Sequence, residues 1–183
     1  MPTTGLSDAA LNVYNTLKSE IPEARLISAR RWAVDENGKR VSGNAFVTKN
    51  GLYKCCNAKG EIMYFKSNNS KHLYGEAIDI VNGPGQSFDG MLEQIMTSNA
   101  IVRTMCENGM AMCKETSSDD SGVTASHYHI GTDPDIQTPF WNAVLNSYPM
   151  MPSDLKALIQ KHQSFNKQNS TVEVKHEAVQ ENA

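Results

Sequence analysis

From Ser7 to Ile21 the apolar positions Ala10, Leu11, Tyr14, Leu17 and Ile21 recur at the spacing of a helix with one buried face. Ser7 is a capping residue and Pro22 stops the run. "ARLISARRWAV" then reads as a strand. Between 35 and 70 the turn signals "ENGK", "KNGLY" and "AKGEI" separate the short pieces "AFVT", "LYKCC" and "IMYF", the pattern of a β-hairpin or meander. "EAIDIV" is a further strand closed by "NGPGQ". Phe88, Met91, Leu92, Ile95 and Met96, then Ile101, Val102 and Met105, predict a helical block broken near Ser98-Asn99 and stopped at Asn108-Gly109. "GMAMCKE" and "SHYHIG" read as two strands joined by the polar loop "TSSDDSGVTA". A connection "TDPDIQTP" leads to "FWNAVLNSY" and to a helix capped at Ser153, with Leu155, Leu158, Ile159 and His162 on one face. The last stretch, "NKQNSTVEVKHEAVQENA", has no core-forming period and reads as a flexible polar tail.

These elements predict an α+β fold: a small antiparallel sheet with flanking helices. At 183 residues the chain suits one domain with an appendage. The formal net charge of -3 supplies no basic footprint, which argues against nucleic acid as the main partner. No stretch approaches the ~20 apolar residues of a membrane helix. The start "MPTTGLSDAALNVYN" lacks a basic region followed by an apolar run, so no secretory signal peptide is expected. The four cysteines are the adjacent Cys55 and Cys56, then Cys106 and Cys113. None forms the paired hooks of a four-thiolate zinc site, so reduced thiols are expected.

Two stretches carry chemistry. "SKHLYGEAIDI" places His72 and Asp79 seven residues apart with Gly75 between them. On a helix that separation spans roughly 10 Å, so the pair meets at one ion only if the chain folds back, which Gly75 permits. Asp79 lies inside an apolar strand, where an unpartnered carboxylate is costly to bury and a cation beside it resolves the cost. "SHYHIGTD" places His127 and His129 at i and i+2 on a strand, facing the same side. Two imidazoles and a carboxylate are an ordinary protein ligand set for a catalytic zinc that keeps one position for water.

"SKHLYGEAID" fits the S-x-H-x-x-G-x-A-x-D signature of the zinc D-Ala-D-Ala carboxypeptidases and L-Ala-D-Glu endopeptidases, and "HYH" before "IG" resembles their closing strand. Many phage endolysins belong to this group. The resemblance covers roughly residues 5 to 145. It implies that His72, Asp79 and His129 hold Zn2+ and that His127 is the general base or transition-state stabiliser. It also implies an upstream arginine for a substrate carboxylate or oxyanion: "SARR" offers Arg31 first and Arg30 second. Ser70 is expected to hold the His72 loop.

The expected organisation is a zinc peptidase-like domain over 1–148, with 35–70 as a β insertion, then a C-terminal helix and polar tail over 149–183. The insertion follows from the forty residues between Arg31 and His72, more than many relatives use. Relatives also place an acid two or three positions before the last histidine, where this chain has His127 and Ser126. The base is then His127 or an acid from elsewhere, among Glu115, Asp119 and Asp120. The function implied is cleavage of an amide bond in bacterial peptidoglycan peptides by a phage protein, acting from the host cytoplasm at lysis or from the virion. Phage structural proteins are candidate partners through the tail. The alternative is a structural or binding virion protein that keeps the fold and the zinc without catalysis.

Overall fold

The computed structural model describes residues 2–42, 47–118 and 124–181. Helix α1 (Asp8–Glu20) opens the fold, with the Ser7 hydroxyl accepting from the Ala10 amide as its cap. It buries Ala10, Val13 and Leu17. Strand β1 (Arg25–Ser28) follows, and β2 (Trp32–Ala33) belongs to a different sheet. The single strand expected from "ARLISARRWAV" is therefore two. The chain bulges between Leu26 and Ser28 and then leaves the sheet, because the Arg31 amide donates to the His72 carbonyl rather than to a strand neighbour.

The main sheet is antiparallel, in the order β1, β6 (Ala77–Val81), β8 (Thr124–Gly131), β7 (Ala111–Ser118). A smaller antiparallel sheet is built on β4 (Leu52–Cys56), which pairs with β2, with β3 (Thr48–Lys49) and with β5 (Ile62–Phe65). This is the meander expected over 35–70; of its first piece, "AFVT", residues 45 and 46 lie outside the described residues. Its tightest turn is Asn50-Gly51, both at positive φ (53° and 76°), the two-residue connection that matches strand twist.

Helices α2 (Phe88–Met96) and α3 (Asn99–Glu107) are separated at Ser98, whose hydroxyl caps α3, so the break falls where the sequence placed it. Helix α4 (Pro134–Ser147) begins earlier than "FWNAVLNSY" suggested: Pro134 occupies its first turn, where a missing N–H costs nothing. Helix α5 runs from Ser153 to Glu181, so the stretch read as a tail is helical to Glu181. Its Lys, Gln and Glu residues are good helix formers, and they extend a helix whose first turns pack through Leu155 and Ile159. Among the described residues no helix is long and apolar enough to cross a membrane.

The core joins Val13 and Leu17 of α1, Ile95 and Met105 of the middle helices and Trp141 of α4 to Ile78, Ile80, Tyr128 and Ile130 of the sheet. Because strand side chains alternate, burying those four residues against the helices turns Asp79, His127 and His129 to the other face.

Candidate metal centre

Sheet register brings the chemistry together. Ser28 pairs with Asp79, Asp79 with His129, and His129 with Cys113, one row across four strands. Two residues along, on the same face, His127 pairs with Glu115. His72 joins from a 3-10 turn, Lys71–Tyr74, that leads directly into β6. Ser70 caps this turn by accepting from the His72 amide, and Gly75 ends it at φ +70°, in the left-handed region that reverses the chain. The Gly75 amide donates back to the His72 carbonyl at 3.3 Å. A β-carbon at Gly75 would also collide with the carbonyl oxygen of Gly5. Seven residues of separation are thus folded into one site.

His72, Asp79 and His129 are 3%, 4% and 4% exposed, buried enough that each polar atom needs a partner. Asp79 Oδ1 lies 3.1 Å from His72 Nε2 and 3.0 Å from His129 Nδ1. One ligand atom from each of the three residues lies within 4.8 Å of the others, so the group is able to hold a metal ion. Ligands about 2 Å from a tetrahedral ion stand about 3.3 Å apart, close to the spacings found. The hydrogen bonding fits a cation as well. His72 Nδ1 donates to the Ala29 carbonyl at 2.8 Å, so Nε2 is the ring nitrogen turned to the carboxylate oxygen and the one placed to meet a metal ion.

His129 is held from behind. Its Nε2 lies 2.8 Å from Asp133 Oδ1. Asp133 is the N-cap residue of α4, yet its side chain makes no cap bond, being committed to His129. Gly131 makes the contact possible: a β-carbon there would strike Asp133 Oδ1 and sit 3.0 Å from His129 Nε2. Burial lowers the affinity of His129 for its second proton, but the bonds to Asp133 and Asp79 outweigh it and lift the imidazole to about 10. Burial pushes the Asp79 carboxyl up, and the bonds from His129 and His72 more than reverse this, holding it well below the usual carboxylate range. The metal-free centre is therefore an imidazolium between two carboxylates.

Arg31 reaches the centre and Arg30 does not. Arg31 Nη2 is 3.4 Å from Asp79 Oδ2. Its guanidinium donates twice to Ser28 Oγ, at 3.0 and 2.6 Å, and stacks 4.0 Å over the Phe65 ring. Arg30 instead lies against the Trp32 ring and the Gly5 carbonyl. The smaller sheet thus supports Arg31 through Phe65 and, with Met63, walls a groove of about 680 Å³ whose floor holds Asp79, His72 and His129. His127 Nε2 lies 3.1 Å from Glu115 Oε2 and 3.7 Å from Asp79 Oδ2, at the open side of the site. Glu115 is the acid that joins His127 here, while Asp119 and Asp120 lie outside the described residues. Cys113 stands beside His129, but burial and then the charge of Glu115 push its thiol up to about 12, far from a thiolate ligand.

Sequence reasoning placed His72, Asp79, His129, His127 and Arg31, and all five converge. It missed Asp133, Phe65 and the Ala29 carbonyl, and gave Ser28 no role. Asp133 had a signal: an Asp-Pro pair four residues after His129, read as a connection although Asp-Pro also opens helices. No family model matches this chain, and neither a curated protein nor a solved structure does.

Proposed function

We propose that the protein is a zinc-dependent peptidase that cleaves an amide bond in bacterial peptidoglycan peptides, as a phage endolysin or virion-associated lysin. The observation that carries this reading is the convergence of His72, Asp79 and His129 on a groove floor, with His127 and Arg31 held beside them.

Zinc, when bound, supplies a water acidified to a pKa of about 7 and polarises the scissile carbonyl. His127 takes the proton of the attacking water and passes it to the leaving amine, and the Glu115 carboxylate at 3.1 Å holds the ring and stabilises its charged form. Arg31, fixed by Ser28 and Phe65, presents its charge to the developing oxyanion or to a substrate carboxylate. Asp133 holds His129 in the tautomer that leaves Nδ1 free for the ion.

The test is digestion of purified sacculi by the zinc-loaded chain, with mass spectrometry of the soluble products. Release of peptides with one new amine and one new carboxyl end, abolished by chelation and restored by zinc, supports the reading and names the bond. Bound zinc with no release from any sacculus type would replace it with the non-catalytic virion role.

A further inference from the structure

Asp79 has two carboxylate oxygens, and the three-residue cluster uses one. Oδ1 faces His72 and His129, while Oδ2 points to the opposite side, toward His127 and Arg31. There a second set of donors closes on one point. His127 Nε2 is 3.7 Å from Asp79 Oδ2 and 3.1 Å from Glu115 Oε2, and the three ligand atoms lie within 4.8 Å of one another. One imidazole and two carboxylates are again a zinc ligand set. A carboxylate that bridges two ions through its separate oxygens places them about 3.5–4 Å apart, the spacing of two-metal sites.

We infer that Asp79, Glu115 and His127 form a second, weaker zinc site that shares Asp79 with the first. Three features make it the weaker one. The Arg31 guanidinium stands 3.4 Å from the same Oδ2 and repels a cation there. Glu115 has a side chain 48% exposed and must give up water and freedom to coordinate. The first site, by contrast, is buried and held from behind by Ala29 and Asp133. Occupancy of the second site has a consequence that rests on the peptidase reading. An ion on His127 Nε2 displaces the bond to Glu115 and puts positive charge on the ring, which lowers its basicity toward the proton of water, so excess zinc inhibits.

Zinc titration calorimetry on the full chain, with metal content after equilibrium dialysis, is the test. Two ions per chain are expected in the native protein, the second bound at least tenfold more weakly. Glu115→Gln is expected to hold one ion at the first affinity. Cobalt as a probe reads the native protein without any substitution: the second equivalent should couple magnetically to the first through the shared carboxylate. A single ion at saturation, a second ion indifferent to Glu115→Gln, or a second cobalt without coupling overturns the site. The two readings fail separately. Two coupled ions without hydrolysis keep the site and remove the peptidase, whereas one ion with hydrolysis does the reverse.

Discussion

Asp79 and His129 stand directly opposite each other on antiparallel strands, with Oδ1 and Nδ1 3.0 Å apart. Cross-strand partners have β-carbons about 5 Å apart, so the pairing alone delivers carboxylate and imidazole to one point. Shifting β8 by one residue would turn both of its histidines into the core and Tyr128 out. The meeting of these two candidate ligands is therefore a property of strand register, and Ile78, Ile80, Tyr128 and Ile130 hold that register by their burial.

His127 and His129 share a strand face but differ in their neighbours. His129 is buried between Asp79 and Asp133, whereas His127 meets Glu115 at the open side. His129→Ala should lose tightly bound zinc and essentially all hydrolysis. His127→Ala should keep one tightly bound zinc and lose on the order of 10²–10⁴ in rate, the usual worth of a positioned acid–base group. Metal analysis and turnover on the same two purified variants decide it; the opposite zinc contents would reverse the roles.

Asp133 does not touch the ion position, yet it orients a ligand. Asp133→Asn keeps the size of the side chain and removes its charge, and should weaken zinc binding on the order of 10–100-fold with the fold intact. Gly131→Ala should do the same, because the added methyl occupies the space of Asp133 Oδ1. Competition against a chromogenic chelator measures both, and unchanged affinity in Asp133→Asn would reduce that bond to packing.

How far the sequence could be read follows from what kind of contact each residue makes. His72, Gly75, Asp79, His127 and His129 were legible because their spacing along the chain encodes turn and strand periodicity, and the site inherits that periodicity. The break at Ser98 and the Asn50-Gly51 turn were legible for the same local reason. Phe65 and Ser28 were not, because their work is done on Arg31 across a boundary between two sheets, and no local pattern marks it. The strand "ARLISARRWAV" was misread in the middle because its propensity is continuous. What divides it is a hydrogen bond from Arg31 to His72, forty-one positions away.

Gly75 answers for the loop that carries His72. An alanine there meets two separate costs: about 1–2 kcal/mol for a left-handed conformation, and the collision with the Gly5 carbonyl. Gly75→Ala should lower unfolding stability by at least that amount in denaturant titrations, and should weaken zinc binding as His72 shifts. Asparagine tolerates the left-handed region but not the collision, so Gly75→Asn should recover only part of the loss. Full recovery by asparagine would show that the backbone angle alone matters.

Proton uptake and metal uptake compete at His129. In the metal-free chain this imidazole titrates near 10, raised from an ordinary value of 6.5 by Asp133 and Asp79 against the opposing effect of burial. A group whose folded value is raised stabilises the fold fully below about 6.5 and loses that contribution as pH climbs through 10. Asp79 is depressed, so its contribution is present above about 4 and fades as pH falls through its folded value. The stabilisation from these two groups is thus greatest between about pH 4 and 6.5 in the metal-free protein. Zinc requires Nδ1 of His129 without its proton, so binding at pH 7.5 should release about one proton from this ring, and affinity should rise with pH toward 10. Calorimetry in buffers of different ionisation enthalpy reads the proton count directly. An apparent enthalpy independent of buffer would mean that His129 enters the metal-free protein already neutral, and that Asp79 and Asp133 do not hold an imidazolium between them.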